Sequence, residues 1–328
     1  MNIGRNILYF RQQHGLTQQQ LADALGINKM AISNYEKGKR QPNIETAKAI
    51  CKALDISLMQ FMAYSEGVEL SAGHFQNADL LTTVQKESIK AQIRYVAQRY
   101  YDACLCANAP CDRYNLPAEK IALPESSAAA AEYMRSTIGL PKSGPVGNLT
   151  HTLENNGIMV VLVSPPKREK FRGYSAISNK GFAIIAINSS YDGAQQRYAL
   201  ACELAALLFH DTDNADLEDI VSHFLLPATD LCRELGEKRK HLSFAEIRYV
   251  CDEYGISPQM VAKRVAQEHI ISHSAYQQLL LQIREPPHFV LPQEKPTRLE
   301  QTVQRALADG EINEGRVAEL LDTLCRKR

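Results

Sequence analysis

Apolar residues recur at three- and four-residue spacing over most of the chain, and the stretches that break this rhythm divide it into segments. In the first sixty residues the pattern is short. Ile7, Leu8 and Phe10 mark a helix ending near Gly15, and Thr17 caps a second helix whose inward stripe is Leu21, Ala24 and Leu25. Gly26 supplies the turn. A third helix, about Asn28 to Lys37, turns Ile32 and Tyr35 inward and leaves Lys29, Met30, Ser33 and Asn34 on the other face. Ile44 to Leu54 gives a fourth, with Ala47, Ile50 and Cys51 inward, and Ser57 caps a short fifth ending near Met62.

Beyond Met62 the residues are small and polar without a sustained period, so 65–81 reads as a linker. A helical pattern returns from Thr82 to about Cys106, with Ile89, Ile93, Val96, Tyr100 and Ala103 in register. It serves either as a dimerisation helix or as the first helix of the next domain. Helices follow at Ser127 to Ile138 and before Gly157, then strands at Ile158 to Val163, Gly173 to Ile177 and Ala183 to Asn188. A long apolar helix runs from about Gln195 to His210, and 228–275 is helical, with Ser243 and Ser257 as caps. A proline-bearing stretch over 285–296 then separates a terminal helix–turn–helix unit, Thr297 to Leu324. The expected fold is mainly α with a small β-sheet (α+β), divided as 1–64, the linker 65–81, 82–275 and a helical extension 276–328.

Composition narrows the class. At 328 residues the chain exceeds one ordinary core, and 45% hydrophobic with 23% charged residues is the mixture of a water-soluble globular protein. No apolar run approaches the roughly 20 residues that cross a bilayer, and the N-terminus lacks an export signal, so a cytoplasmic protein with no membrane partner is expected. The eight cysteines, at 51, 104, 106, 111, 202, 232, 251 and 325, include no C-x-x-C pair, which argues against a zinc ribbon or a disulfide framework. Formal net charge is zero, so affinity for nucleic acid has to come from a local basic patch such as K-G-K-R at 37–40.

Five short helices in sixty residues, with L-T-Q-Q-Q-L-A near the start and S-N-Y-E-K-G-K-R-Q-P after it, resemble the XRE family of phage-repressor-like domains. The resemblance implies that Asn28, Lys29, Met30, Ser33 and Asn34 face base edges in the major groove. Gln18, Lys37, Lys39 and Arg40 are then placed to meet phosphates or groove walls. It also implies a homodimer on a palindromic operator of double-stranded DNA, since one such domain buries only a modest interface.

Residues 121–227, with G-Y-S in a strand, I-A-I-N, R-Y-x-L-A-x-E-L-x-x-L-L-x-H and a closing L-L-P, resemble the ImmA/IrrE metallopeptidase family. In that family the helix carries H-E-x-x-H, whose histidines bind zinc and whose glutamate activates the metal-bound water. Position by position the histidines become Cys202 and Ala206, the glutamate remains as Glu203, and the third-ligand position falls near Asp216. Alanine has no donor atom, so the resemblance implies a pseudopeptidase fold: no enzyme, no catalytic residue, no metal and no cofactor. A different metal site built from Cys202 with Asp216, His210 or His223 is the alternative.

What remains at that position is a cleft with an apolar floor, open to a small-molecule or peptide effector, with Arg172, Tyr174, Asn188, Arg197 and Glu203 as polar candidates at its mouth. The functional expectation is a dimeric DNA-binding transcriptional regulator of the kind found in phages and mobile elements, whose central domain senses an effector or holds the dimer. Two alternatives come from other classes: an active metalloprotease that cleaves a repressor, and an antitoxin-like module that binds DNA and a partner protein.

Overall fold

The computed structural model describes residues 3–14, 16–58, 61, 67–107, 111, 115–117, 119–165, 170–210, 214–284 and 290–321. Most of the short helix expected over 57–62, the start of the linker, the residues from 322 onward and Cys325 lie outside them. In chain order the elements are α1 (Ile3–Gln13), α2 (Gln18–Leu25), α3 (Lys29–Glu36), α4 (Ile44–Ala53), β1 (His74–Phe75), α5 (Thr83–Cys106), α6 (Ser127–Thr137) and α7 (Leu149–Asn155). Then come β2 (Ile158–Val163), β3 (Gly173–Ile177), β4 (Ala183–Asn188), α8 (Gly193–Leu208), α9 (Asn214–Leu225) and α10 (Ala228–Leu235). The last are α11 (Phe244–Tyr254), α12 (Pro258–Gln267), α13 (His273–Arg284), α14 (Arg298–Ala308) and α15 (Glu314–Leu321). The fold is mainly helical with one small sheet. Among the described residues no helix is long and apolar enough to cross a membrane.

The chain forms two compact units, one of 1–68 with 98–110 and 302–328, the other of 69–97 with 111–301. In the first, α1 to α4 close around Ile7, Phe10, Leu21, Ala22, Ile32, Tyr35, Ile50, Leu54 and Phe61. Ala22 and not Ala24 accompanies Leu21 inward, because Gln18, Leu21, Ala22 and Leu25 share one face of the helix and Ala24 falls outside it. The starts of α2, α3 and α4 are each capped by the residue type that their unpaired amides require. Thr17 accepts from the Gln20 amide at 3.2 Å while the Gln20 side chain accepts from the Thr17 amide at 2.8 Å, a reciprocal capping box. Asn28 and Asn43 do the same one-sidedly for α3 and α4. Between α2 and α3, Gly26 sits at φ 66°, a conformation that a side chain would strain.

The second unit is built on a four-stranded sheet in the order β1-β3-β4-β2. β2 runs parallel to β4, with Val160 opposite Ile185, and β3 runs antiparallel to β4, with Ser175 opposite Ile185. Every residue of β4 is buried, as expected for an apolar central strand that is covered on its faces. Helix α8 lies over β3 and β4, and α6 and α9 pack with it around Met134, Leu200, Leu204, Ile220 and Phe224.

Two expected boundaries move. Part of the 65–81 segment is not a free linker: Leu70 bridges Ser178, and β1 adds to the sheet edge with His74 opposite Ser175 and Phe75 opposite Tyr174. In addition, α13 packs Ala275, Leu279 and Ile283 into the same core as α11 and α12, so the central fold continues past residue 275.

Candidate nucleic-acid interface and central cleft

Helix α3 is anchored by a buried charge cluster. Glu36, its last residue, accepts from Arg11 Nε at 2.5 Å and Nη2 at 3.2 Å, and from Gln18 Nε2 at 2.7 Å. Arg11 and Glu36 are both buried, and the remaining reach of Arg11 goes to the Leu16 carbonyl at 2.6 Å. One carboxylate thus joins α1, the first residue of α2 and the end of α3, which fixes the angle at which α3 is presented. The half-buried Gln18 side chain gives one of its two amide protons to Glu36, which fixes its position beside the start of α2.

On the outer side, Lys29, Met30, Lys37, Lys39 and Arg40 are exposed, Met30 at 67%, while Ser33 and Asn34 are half-buried. The Asn28 side-chain oxygen accepts from the Ala31 amide at 2.7 Å, so only its NH₂ group faces outward for recognition. The backbone carbonyl of Asn34 accepts from the Lys39 and Arg40 amides at 2.9 and 3.3 Å, which folds the basic turn back against the end of α3. The arrangement is a short helix with an uncharged centre, a lysine at its start and three cations at its end. A B-DNA major groove admits an α-helix, and cations at a helix end are suited to phosphates beside it.

In the second unit, Cys202 and Glu203 on α8 are fully buried, and Ala206 is nearly so. Burial and the neighbouring Glu203 push the Cys202 thiol well above its ordinary range, although the Tyr198 hydroxyl donates to it. A metal ligand would have to be a thiolate. Glu203 faces His74 of β1, whose Nδ1 lies 3.2 Å from Oε2, while its Oε1 has no hydrogen-bond partner among the described residues; the nearby Ser175 hydroxyl and Gln76 backbone amide also favour its ionised form. Burial raises the carboxyl of Glu203, and these partners oppose that shift without cancelling it. The backbone of Gly173 presses on it so closely that a Cβ there would stand 2.6 Å from Oε1.

Asp216 is exposed at the start of α9, and His210 is exposed just past α8. His223 is held by the Asp219 carbonyl at 2.8 Å and by Arg264 at 3.1 Å. Among the described residues no three His, Cys, Asp or Glu side chains are arranged to hold a metal ion. A zinc ion does not fit Cys202, Ala206 and Asp216: one has no donor, and one is a buried, hydrogen-bonded thiol.

Four of the five residues expected at the mouth of the cleft are engaged elsewhere. Tyr174 is fully buried against Phe75, with ring centroids 4.5 Å apart, and its hydroxyl is pushed up to about 12 by burial. Asn188 donates to the Phe171 carbonyl at 2.9 Å and accepts from both the amide and the hydroxyl of Ser190. Arg197 pairs with Glu294 at 2.8 Å and donates to the Tyr254 carbonyl at 3.1 Å. Glu203 is the buried partner of His74. Arg172 alone lines an open cavity, of about 380 Å³, together with Gln76, Tyr191, Tyr198, Met260 and Lys263. Sequence reasoning missed this cavity because its lining, Arg172 included, comes from five separate segments, at 76, 172, 191–199, 218–222 and 257–263. Two caps, Asp192 and Ser257, place helix starts there, and of these only Ser257 was visible in the sequence.

The helix-turn-helix family model HTH_3 matches residues 7–61. YqaE, an uncharacterized HTH-type transcriptional regulator of Bacillus subtilis, is 45% identical over 53 residues, which is 16% of this chain and 46% of that protein. The HTH-type transcriptional activator BcrR of Enterococcus faecalis is 32% identical over 71 residues, 22% of this chain and 35% of its own length. This chain therefore spans less than half the length of either. The uncharacterized HTH-type transcriptional regulator MJ0272 of Methanocaldococcus jannaschii is 34% identical over 58 residues, 18% of this chain and 88% of its own length. Bacillus thuringiensis PlcR, solved in complex with the peptide PapR7 and DNA, aligns over 98% of this chain and 92% of its own at 11% identity, but its TM-score of 0.19 bears on neither fold nor function. With nearly all of MJ0272 covered and the matched segment folded around its own core, the chain belongs through an N-terminal XRE-family domain to the HTH-type transcriptional regulators.

Proposed function

We propose that the chain is a sequence-specific DNA-binding transcriptional regulator whose central domain is a catalytically degenerate ImmA/IrrE-like fold serving sensing, dimerisation or both. The observation that carries the first part is the exposed row on and after α3, clamped from behind by Glu36. In this reading α3 enters the major groove. Lys29 and Asn34 supply donors and acceptors to base edges, and Lys37, Lys39 and Arg40 neutralise phosphates on either side. Two copies on an inverted repeat supply the interface area that one short domain lacks.

The second part is supported by the strand–helix order of 121–227 and by the state of the peptidase-motif positions. Position 206 has no donor, Cys202 is held as a thiol, and Glu203 is turned toward His74 instead of toward solvent. A general base needs a water or a reacting group within reach, and here a histidine takes that place.

Selection of bound sequences from a random-sequence DNA pool by the full-length protein tests the first part. Enrichment of an inverted repeat is expected, and Lys29→Ala and Asn34→Ala should each weaken binding by about 1–3 kcal/mol through removal of hydrogen bonds to base edges. Failure to enrich any sequence would overturn it. Metal analysis of the purified protein tests the second: one tightly held zinc per chain, absent from Cys202→Ala, would restore the metalloprotease reading.

A further inference from the structure

We propose that the cavity lined by Arg172, Gln76, Tyr198 and Met260 binds a small organic monocarboxylate that carries a hydrogen-bond donor on an apolar body. The sensing reading is deepened by this and the proposal rests on it. The cavity, about 380 Å³, lies at the low end of small-molecule pockets, with room for a ring and a short chain but not for a folded partner.

Three features set the chemistry of the occupant. The first is an orphan. Gln76 is 8% exposed, lines the cavity, and its side-chain oxygen has no hydrogen-bond partner among the described residues. A buried acceptor left unpaired is costly, and a turn of the Gln76 side chain toward the cavity would bring it to a ligand N–H or O–H.

The second is charge. Lys263 faces the cavity but is already compensated by Glu218 at 3.0 Å and Asp219 at 3.1 Å. Arg172 is exposed and enters no ion pair among the described residues. One uncompensated guanidinium matches one carboxylate bidentately and does not match the two charges of a phosphate monoester. The start of α12 adds its partial positive charge through Ser257 and Gln259, while that of α8 is already closed by the Asp192 carboxylate on the Gln195 amide.

The third is the apolar wall. Tyr191, Tyr198 and Met260 offer two aromatic faces and a deformable thioether to the body of such a molecule.

The position of Gln76 gives the site a use. It follows β1 directly, its amide donates to the Gly173 carbonyl at 3.2 Å, and the next residue, Asn77, donates to the Lys170 carbonyl. A donor held by Gln76 therefore adds a bond to the stretch of chain that leads out of the N-terminal domain. A ligand that prefers one arrangement of this stretch shifts its population by the difference in affinity.

Ligand-observed NMR and thermal melting on the full-length protein test the proposal. The probes are a panel of aromatic and branched aliphatic acids bearing an amide or hydroxyl, N-acetyl-L-phenylalanine among them, each paired with its primary amide. Acids of the panel should bind, and their amides should bind about tenfold or more weakly, as should the same acids to Arg172→Gln. Gln76→Leu should weaken the donor-bearing acids and leave plain acids of the same shape unchanged. Arg172 is exposed, so its variant should melt as the parent does, which separates a binding defect from a folding defect. The proposal is overturned if no acid binds at 10 mM, if amides bind as well as acids, or if Arg172→Gln binds the acids unchanged. DNA affinity measured on the same ligand-free sample reports on the regulator reading independently.

Discussion

Replacing Glu36 by alanine is expected to loosen the N-terminal domain severely, although the residue lies in a run that is otherwise basic and polar. The carboxylate accepts three charge-assisted hydrogen bonds, from Arg11 Nε, Arg11 Nη2 and Gln18 Nε2, at 2.5, 3.2 and 2.7 Å. Removing it leaves the buried Arg11 guanidinium with only the Leu16 carbonyl. Breaking one side of a buried ion pair costs about 3–5 kcal/mol, because an uncompensated charge stays in a poorly solvated place. Against a stability of about 5–15 kcal/mol for a whole domain, that is a large fraction. Glu36→Gln keeps the shape and one acceptor and should cost about 2 kcal/mol. The double variant Arg11→Met, Glu36→Leu removes both charges and should recover most of the loss. Amide hydrogen exchange of α1 to α3 in the full-length protein is the assay. A loss of about 3 kcal/mol appears as roughly a hundredfold drop in protection in this domain, with the second unit unchanged. A drop under about fivefold in Glu36→Ala, or a double variant no better than the single one, would refute the clamp.

Three further outcomes follow from the geometry. Glu203 is raised above its ordinary value by burial, so the folded chain keeps a proton that the unfolded chain releases, and stability should fall as pH rises from the unfolded value of about 4.5 toward the folded one. The melting temperature of Glu203→Gln relative to the parent should therefore climb between pH 5 and pH 8, and a fall would show that the carboxylate is stabilised in place. Gly173→Ala drives a methyl to within 2.6 Å of Glu203 Oε1 and should cost about 1–3 kcal/mol in a urea melt, less when Glu203 is shortened to alanine in the same chain. Lys39→Ala and Arg40→Ala should each weaken binding to all DNA sequences alike and lower the slope of log affinity against log salt by about 1, whereas a change in sequence preference would place them at bases.

Much of the architecture was written locally. The three central strands are apolar over five or six residues between turn residues and were legible with their boundaries, and the apolar helix α8 was legible to within two residues at each end. What escaped depends on partners distant in the chain. β1 is two residues long, has no period to detect, and exists because Tyr174 and Ser175 offer it a sheet edge. Glu36 stands beside K-G-K-R like any solvated carboxylate, and only Arg11, 25 residues earlier, makes it internal. Arg197 and Arg172 look alike as candidates beside a cleft. Arg197 is taken up by Glu294, from the proline-bearing stretch whose path no local signal specifies, and Arg172 is left facing the cavity.

The same distant pairing explains how a fully buried carboxylate persists in α8 without a metal beside it. Isolated in an apolar core, Glu203 would be a standing liability, and an apolar residue of its size would serve α8 better. It is tolerable because β1 brings His74 to 3.2 Å, because the nearby Gln76 amide and Ser175 hydroxyl favour its ionised form, and because Gly173 leaves room for its oxygen. Two of these partners belong to the segment between the N-terminal domain and the long helix α5, in which a flexible tether would have sufficed for connection alone. The carboxyl and the segment thus support each other: without β1 the carboxyl loses its His74 partner, and without the carboxyl the segment keeps its two-residue pairing, the Leu70–Ser178 bridge, the bonds of Gln76 and Asn77 to the Gly173 and Lys170 carbonyls, and the contact of Phe75 with Tyr174. A perturbation at His74 or Glu203 should therefore be felt first at β1, while the bonds on either side of it hold the segment to the sheet.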